Sequence, residues 1–577
     1  MPPFKLPVYV SAVKSFLWLS GDGPLDCGQE LGGTSVNHQR NKSRDKLWHR
    51  LRGFLLHNFA PFWRFVQGVP FLARIVNRAI INTAVNASRT RPHPFSTIGG
   101  YTSWSSLTDR TYFARHLPED DSTAPLPSPD DVLRLFRRDP NAVRECPKST
   151  LLFPVFAQYL TDGFLRTNQV DRKKTTSNHE IDLSTLYGRT PAQTAVLRLS
   201  SAEPGRRGRL KSQRIGEEEY PLHLFEADGT TVRPEFCDAQ GNSVLDTPLG
   251  LERYPGAGFT RQIFAVGGDR ANATPLISMF NALLLREHNR LAAELEKRNP
   301  KWDDERVFQT ARNILIVVYI KLVIEEYINH ISSACFQLSA TPAVVWKAPW
   351  NRANWMAIEF ALLYRWHALI PNTIAWDGAA VPAGEMLLDN TFLTKVGLAK
   401  GFRFAAAQNA TAIGFYNTAA FLEPVEAGAV KQGRDLKLRR YNAYREAMGL
   451  LPVTDFNQMT GDPKRQQDLK AVYGTPDAVE FYPSLFAEDL NDNTPMPGLM
   501  GAMVALDAFS QALTNPLFSE HVFNAATFTD WGMKQIETTN SVFDLVARNV
   551  PGGASAEMTR KSIGMTRADW KRKWAPF

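Results

Sequence analysis

Acidic residues are missing altogether from Lys46 to Leu107, a stretch that carries Lys46, Arg50, Arg52, Arg64, Arg74, Arg78, Arg89 and Arg91. The formal net charge of +8 is compatible with nucleic acid, anionic lipid or neither, and its distribution says more than its size. Cysteine is scarce: Cys27, Cys146, Cys237 and Cys335 lie far apart in 577 residues. That excludes a dense disulfide scaffold and CxxC metal spacing, and predicts unpaired thiols in a reducing compartment. Long apolar runs are lacking too. Val8 to Leu19 is broken by Ser11, Lys14 and Ser15, a poor signal peptide, and Ile314 to Ile324 is interrupted by Lys321. A protein that is soluble or lies on a membrane, without spanning it, is expected. Strand-like alternation is rare and no internal repeat is present, which argues against a solenoid.

What is present is mostly helical pattern. Residues 21–45 are Gly-, Asn- and charge-rich and read as a loop or extension, so 1–45 is taken as an N-terminal extension. In 46–92 the basic residues are interleaved with Trp48, Phe54, Phe59, Phe62, Trp63, Phe65 and Phe71, and Pro61 and Pro70 cut the segment into short pieces. Short basic helices rich in Trp and Phe suit a membrane interface. The same stripes equally suit packing on the protein's own core, and composition does not choose between the two. Further along, Leu276–Arg298, Asp303–Ile331 and Met356–Ile370 show helical periodicity, the last ending near Pro371. Residues 200–250 read as loops with room for a hairpin.

The segment Leu362-Leu-Tyr-Arg-Trp-His-Ala-Leu-Ile-Pro371 places Tyr364 and His367 three apart on one face of an apolar helix. A buried neutral imidazole is a good axial ligand for haem iron, and a nearby phenol can be oxidised to a radical. A core histidine beside an ordinary core tyrosine is the plainer reading of the same residues.

Several blocks, in order from about Leu47 to Val550, resemble the cyclooxygenases and, more distantly, myeloperoxidase-type enzymes. Leu284-Leu-Arg-Glu-His-Asn-Arg290 resembles the superfamily's central helix. Ile324-Glu-Glu-Tyr-Ile328, Ile181-Asp-Leu-Ser-Thr-Leu-Tyr-Gly188 and Tyr101-Thr-Ser-Trp104 are similar to further blocks. Tyr364-Arg-Trp-His367 matches the element holding the radical tyrosine and the proximal haem histidine, with Trp366 between them. Ala478-Val-Glu-Phe-Tyr-Pro483 is similar to the block whose tyrosine, here Tyr482, supports that histidine, and Ser510 in Ala508-Phe-Ser510 matches a channel-lining serine. The resemblance implies a mainly α fold: a large helical haem peroxidase/cyclooxygenase-like catalytic domain over 93–577, preceded by a monotopic membrane-binding segment over 46–92. It implies haem b, an unsaturated fatty acid or related lipid, O2 and a membrane surface as partners, with no nucleic acid. A homodimer is compatible with it. The disulfide-rich module of animal cyclooxygenases is not matched, which favours a bacterial-type relative, cytoplasmic and peripheral to the membrane.

Three departures shape the expectation. In the block Phe156–Thr167, similar to the distal helix, Gln158 falls on the distal glutamine but Asp162 stands in place of the distal histidine. A carboxylate can shuttle the peroxide proton only if its pKa suits. Gly268-Asp-Arg-Ala-Asn272 resembles the myeloperoxidase-like block that supplies a distal arginine, here Arg270, which could pair with Asp162. The two residues that anchor a fatty-acid carboxylate fall on Asn86 and Ala334, which leaves three readings open: Arg89 or Arg91 substitutes, the substrate is not a free acid, or it enters in the other direction. Asp182 and Ser184 match two calcium ligands, but Gly163 replaces a partner aspartate, so calcium is doubtful and no metal beyond haem iron is expected.

The resulting expectation is a haem-dependent lipid dioxygenase acting through a Tyr364 radical. The alternatives are a peroxidase oxidising small reductants and a haem-binding, membrane-associated protein whose catalysis has decayed.

Overall fold

The computed structural model describes residues 53–86, 104–555 and 558–574. The extension 1–45, Arg89, Arg91 and the residues Tyr101 to Ser103 lie outside the described residues, as does Cys27. Cys146, Cys237 and Cys335 are unpaired.

Residues 53–58 are helical, and helices α1 (Ala60–Gln67) and α2 (Pro70–Asn86) follow them. Pro61 and Pro70 begin these helices rather than break them, since the first turn needs no donor from the backbone nitrogen. α3 (Leu152–Phe164) follows, then the central pair α4 (Pro275–Arg298) and α5 (Asp304–Leu322). α4 starts where Thr274 accepts from the Ile277 amide, with Pro275 in its first turn, and ends on Lys297 and Arg298. Nearly its whole circumference is buried, as befits a helix at the centre of a large domain. Its buried Glu287 is held by Arg290 at 2.8 Å, Arg548 at 2.5 Å and Asn549 at 2.7 Å.

α5 begins on the Asp303 cap and packs back along α4. It runs on through a wider π turn at Val323–Ile328 to Ile331. The sequence reading found no run of membrane-crossing length, yet Asp304–Ile331 is long and apolar enough by composition. It lies mostly buried inside the protein, with the Lys321 ammonium donating to Ile536 O, Glu537 O and Asn540 Oδ1. Burial of this helix is what its apolar surface serves.

Short helices α6 (Ile358–Leu363), α7 (Glu423–Asp435) and α8 (Phe481–Ala487) and the longer α9 (Gly498–Leu513) complete the elements around the site. Strands among the described residues form three antiparallel ribbons: β1 (Glu145–Thr150) with β6 (Asn409–Thr411), β2 (Gln213–Ile215) with β3 (Glu218–Tyr220), and β4 (Thr373–Trp376) with β5 (Ala379–Pro382). The β2–β3 ribbon is the hairpin anticipated in 200–250. The fold is mainly α, as the periodicity indicated.

The amphipathic segment divides its side chains between both readings. Trp63, Val66, Leu72, Val76, Ile81 and Val85 are buried against the body of the protein. Phe62, Phe65 and Phe71 remain 39%, 56% and 59% exposed, and Arg64, Arg74 and Arg78 are exposed beside them. The C-terminal chain returns to this face, where Trp574 packs edge-on against Phe54 and Phe59, each at 5.7 Å.

Candidate active site

The run Met356–Ile370 is not one helix. α6 ends at Leu363, the backbone leaves helical values at Tyr364 and Trp366, and His367–Leu369 forms a separate 3-10 turn. Tertiary hydrogen bonds override the local periodicity here. Trp366 Nε1 donates back to Leu363 O at 2.7 Å, Arg138 donates to Ile370 O at 2.8 Å, and Thr411 Oγ1 donates to Ala368 O at 2.5 Å. Pro371 also disfavours helical geometry at Ile370. Tyr364 and His367 are therefore presented by a pinned turn, not by one helical face. Arg138, the main clamp, escaped the sequence reading; its burial lowers its pKa to about 10.

Tyr364 is buried, with its ring stacked on Trp366 at 4.7 Å and edge-on to Phe360 at 4.8 Å. Its hydroxyl and that of Tyr327, on the π turn, lie beside one another without a well-formed hydrogen bond. Burial pushes the Tyr364 phenol above its ordinary range, while the neighbouring Tyr327 hydroxyl pulls the other way. The phenol is thus neutral, set between two aromatic rings and beside the Tyr327 hydroxyl.

The His367 imidazole keeps 20% of its side chain exposed, and its Nδ1 lies 3.2 Å from Glu426 Oε1, within ion-pair reach but off the line of a formed hydrogen bond. Glu426, on α7, is fully buried. It accepts from Thr418 Oγ1 at 3.0 Å and from the Tyr482 hydroxyl, which also donates to Arg365 O at 3.3 Å. Burial, reinforced by Glu426, holds the Tyr482 phenol well above its ordinary range, so it serves as a donor. Tyr482 thus reaches the histidine through Glu426, a residue the sequence reading missed.

On α3, Asp162 is 5% exposed and its Oδ2 has no hydrogen-bond partner. Burial raises its pKa to about 6, with Arg270 opposing, Asp269 adding, and Arg166 and the Gln158 side chain opposing. The anticipated Arg270–Asp162 pair does not form: the Arg270 guanidinium makes no hydrogen bond or ion pair among the described residues, and acts on Asp162 through space. The neighbouring Asp269 is taken by Arg166 at 2.5 Å. Arg270 also faces Arg365. Burial pulls the Arg365 guanidinium below its ordinary range, Tyr482 opposes, and Arg270 and Arg172 pull the same way. Arg365 and Arg172 share one neutral acceptor, Gln432 Oε1, at 2.9 and 3.1 Å. Arg270 thus links the two sides of the site, and three guanidiniums gather there with fewer acceptors than donors.

The remaining candidates are placed less favourably. Ser510 is fully buried on α9 and donates to Asp507 O in its own helix at 3.0 Å. Asn86 ends α2 and Ala334 is buried. The guanidinium of Arg572, from the C-terminal chain, donates to Ser333 O at 2.5 Å and Ala334 O at 2.9 Å, bringing a cation where none was foreseen. Ser184 spends its hydroxyl on Gly163 O at 2.7 Å, and Asp182 accepts from Asn178 at 2.9 Å.

Residues 169–562 match the animal haem peroxidase family. The chain belongs to that family. The match begins after α3, the helix on which Asp162 departs from the expected histidine. The chain is 30% identical to prostaglandin G/H synthase 2 of Mus musculus over 515 residues, covering 86% of this chain and 80% of that one. Among solved structures it is similar in fold to fatty acid alpha-dioxygenase of Oryza sativa, with TM-score 0.62, 17% identity, and coverage of 80% and 84% of the two chains. Peroxidase A from Dictyostelium discoideum is similar with TM-score 0.57 at 16% identity, covering 85% of this chain and 99% of that one.

Members of this haem peroxidase family bind haem, and the residues here fit one. His367 offers an imidazole whose Nδ1 lies 3.2 Å from the Glu426 carboxylate, leaving Nε2 for iron. The surplus guanidinium donors around Arg270, Arg365 and Arg172 suit the carboxylates of a porphyrin.

Proposed function

We propose that this chain is a haem b-dependent dioxygenase of unsaturated fatty acids or related lipids, acting through a radical on Tyr364. One observation carries the reading: a buried phenol packed between the Trp366 and Phe360 rings, its hydroxyl beside that of Tyr327, three residues before the imidazole that would hold the iron. A phenoxyl radical survives where water and reductants are excluded. His367 would hold haem, with Trp366 and Tyr482 backing its turn, and haem would supply the oxidising power there. Tyr364 gives up one electron, and its proton is relayed by the neighbouring Tyr327 hydroxyl toward water. The phenoxyl oxygen then takes a hydrogen atom from the acyl chain, restoring the phenol and leaving a carbon radical. O2 adds to that carbon, and the Tyr364 phenol gives its hydrogen atom to the peroxyl oxygen, forming a hydroperoxide and renewing the phenoxyl radical.

The exposed Phe62, Phe65 and Phe71 with Arg64, Arg74 and Arg78 support peripheral seating of 46–92 on an anionic membrane, from which lipid enters. Arg572, at the Ser333–Ala334 turn, supports a head-group anchor of different origin from Asn86, Ala334, Arg89 or Arg91.

Replacing Tyr364 with Phe tests the core of this. Oxygen uptake across a panel of fatty acids and esters should vanish while the haem spectrum is kept; retained uptake rejects the radical role. A peroxidase reading has its own support, because Asp162 at about 6 can exchange a proton near neutral pH and Arg270 can polarise a bound anion.

A further inference from the structure

Resting on the reading of His367 as the iron ligand, we infer that Glu426 is a positioning residue that draws the His367 Nδ1 proton toward itself and so makes Nε2 a stronger electron donor to iron. The geometry is that of a carboxylate with one place left to fill. Thr418 Oγ1 donates to Oε1 at 3.0 Å and the Tyr482 hydroxyl donates to Oε2, so both oxygens act as acceptors. Glu426 is fully buried and makes no hydrogen bond or ion pair to arginine or lysine among the described residues, so no protein cation neutralises it by contact. The imidazole is the remaining donor within reach, at 3.2 Å, and Nδ1 has no other partner. A buried carboxylate exerts a larger field on its neighbour than an exposed one, because little water screens it.

The consequence is specific to this chain's two-sided site. Asp162 stands where an imidazole would be the better acid–base group, so a more electron-rich His367 would, with haem bound, add to the help Asp162 gives. Tyr482 and Thr418 then act as a brake. Each donor they supply spreads the Glu426 charge and weakens its hold on the imidazole proton.

The test uses the full chain loaded with haem b, in the ferrous state. Resonance Raman measures the iron–histidine stretch and spectroelectrochemistry measures the midpoint potential. Glu426→Gln should lower the stretching frequency and raise the potential. Tyr482→Phe removes a donor from Glu426, so it should shift both quantities in the opposite direction and by less. A merely structural role would loosen the same turn in both variants and move them alike; that result, or no shift in Glu426→Gln, overturns the inference. If Glu426→Gln yields no soluble protein, Tyr482→Phe decides alone, and a frequency that falls or stays put rejects it. A parent protein whose ferrous spectrum shows no histidine-ligated iron rejects the haem reading itself, and the two failures are distinguishable.

Discussion

The two sides of the candidate haem site are built on different principles. On the histidine side the backbone turn and the buried carboxylate are held: Arg138 and Thr411 fix the turn, and Thr418 and Tyr482 donate to Glu426, with His367 Nδ1 3.2 Å away. On the Asp162 side the opposite holds. Asp162 Oδ2 is buried without a hydrogen bond and the Arg270 guanidinium has no protein partner among the described residues. Leaving a buried polar atom unmet costs on the order of 1–3 kcal/mol, so a site tolerates it where a ligand will supply the partner. One side is built to hold, the other to receive. The contrast also separates what each substitution can damage.

The largest effect is expected from His367→Ala, which removes the one group on the holding side that can bind iron. The haem-loaded parent should show a Soret band that the variant lacks at equal haem, while circular dichroism shows the helices unchanged. A band of full intensity would place the ligand elsewhere and erase the contrast.

Next comes Asp162→Asn on the receiving side. Taking the peroxide proton requires the ionised form, and Asp162 is held at about 6. Peroxide consumption should therefore be flat above that pH and fall by about tenfold per unit below it, and Asn should lower the plateau by roughly a hundredfold or more. Stability gives an independent check of the same value. The folded pKa lies above the ordinary 3.8, so ionising Asp162 weakens the folded state as pH rises from 3.8 through about 6. Asn removes that penalty. Thermal unfolding should show the variant gaining on the parent across that window and holding the gain at neutral pH.

How much of this was legible in the sequence follows the same division. His367, Tyr364, Tyr482 and Asp162 sit in continuous blocks whose order carries the resemblance, so they could be named beforehand. Glu426 could not. Its helix, Glu-Pro-Val-Glu-Ala-Gly-Ala-Val-Lys, has the charge and small residues of an ordinary surface helix, and only the packing of α7 against α8 turns that carboxylate inward. The broken helix at Tyr364 was hidden for a related reason. Met356–Ile370 has sound helical periodicity, and the bonds that override it come from Arg138 and Thr411, far away in sequence. Arg572 lay in a basic terminal run that reads as solvated. Local pattern revealed which residues could do chemistry; which of them are held, and by what, came from contacts the chain makes at long range.

The smallest of the three effects concerns a third surface, which neither holds nor receives the cofactor. Phe62 and Phe71 are 39% and 59% exposed, and Arg64, Arg74 and Arg78 lie on the same two helices. Burying these rings in an interface recovers about 1 kcal/mol each, since roughly half of each side chain is still free to be buried. Phe62→Glu with Phe71→Glu should therefore weaken binding to vesicles containing anionic lipid by at least about thirtyfold, taking about 1.4 kcal/mol per tenfold. Added repulsion from the headgroups enlarges this, and raised salt should shrink the repulsive part alone. Phe71 is largely exposed and Phe62 meets the buried Trp63 edge-on at 5.0 Å, so unfolding temperature should fall only slightly and haem binding should not change. Turnover of a lipid dispersed in detergent should be kept while turnover of the same lipid in vesicles drops, because the variant alters delivery and leaves Tyr364 untouched. Equal losses in both assays would mean that α1 and α2 belong to the catalytic wall rather than to a membrane seat.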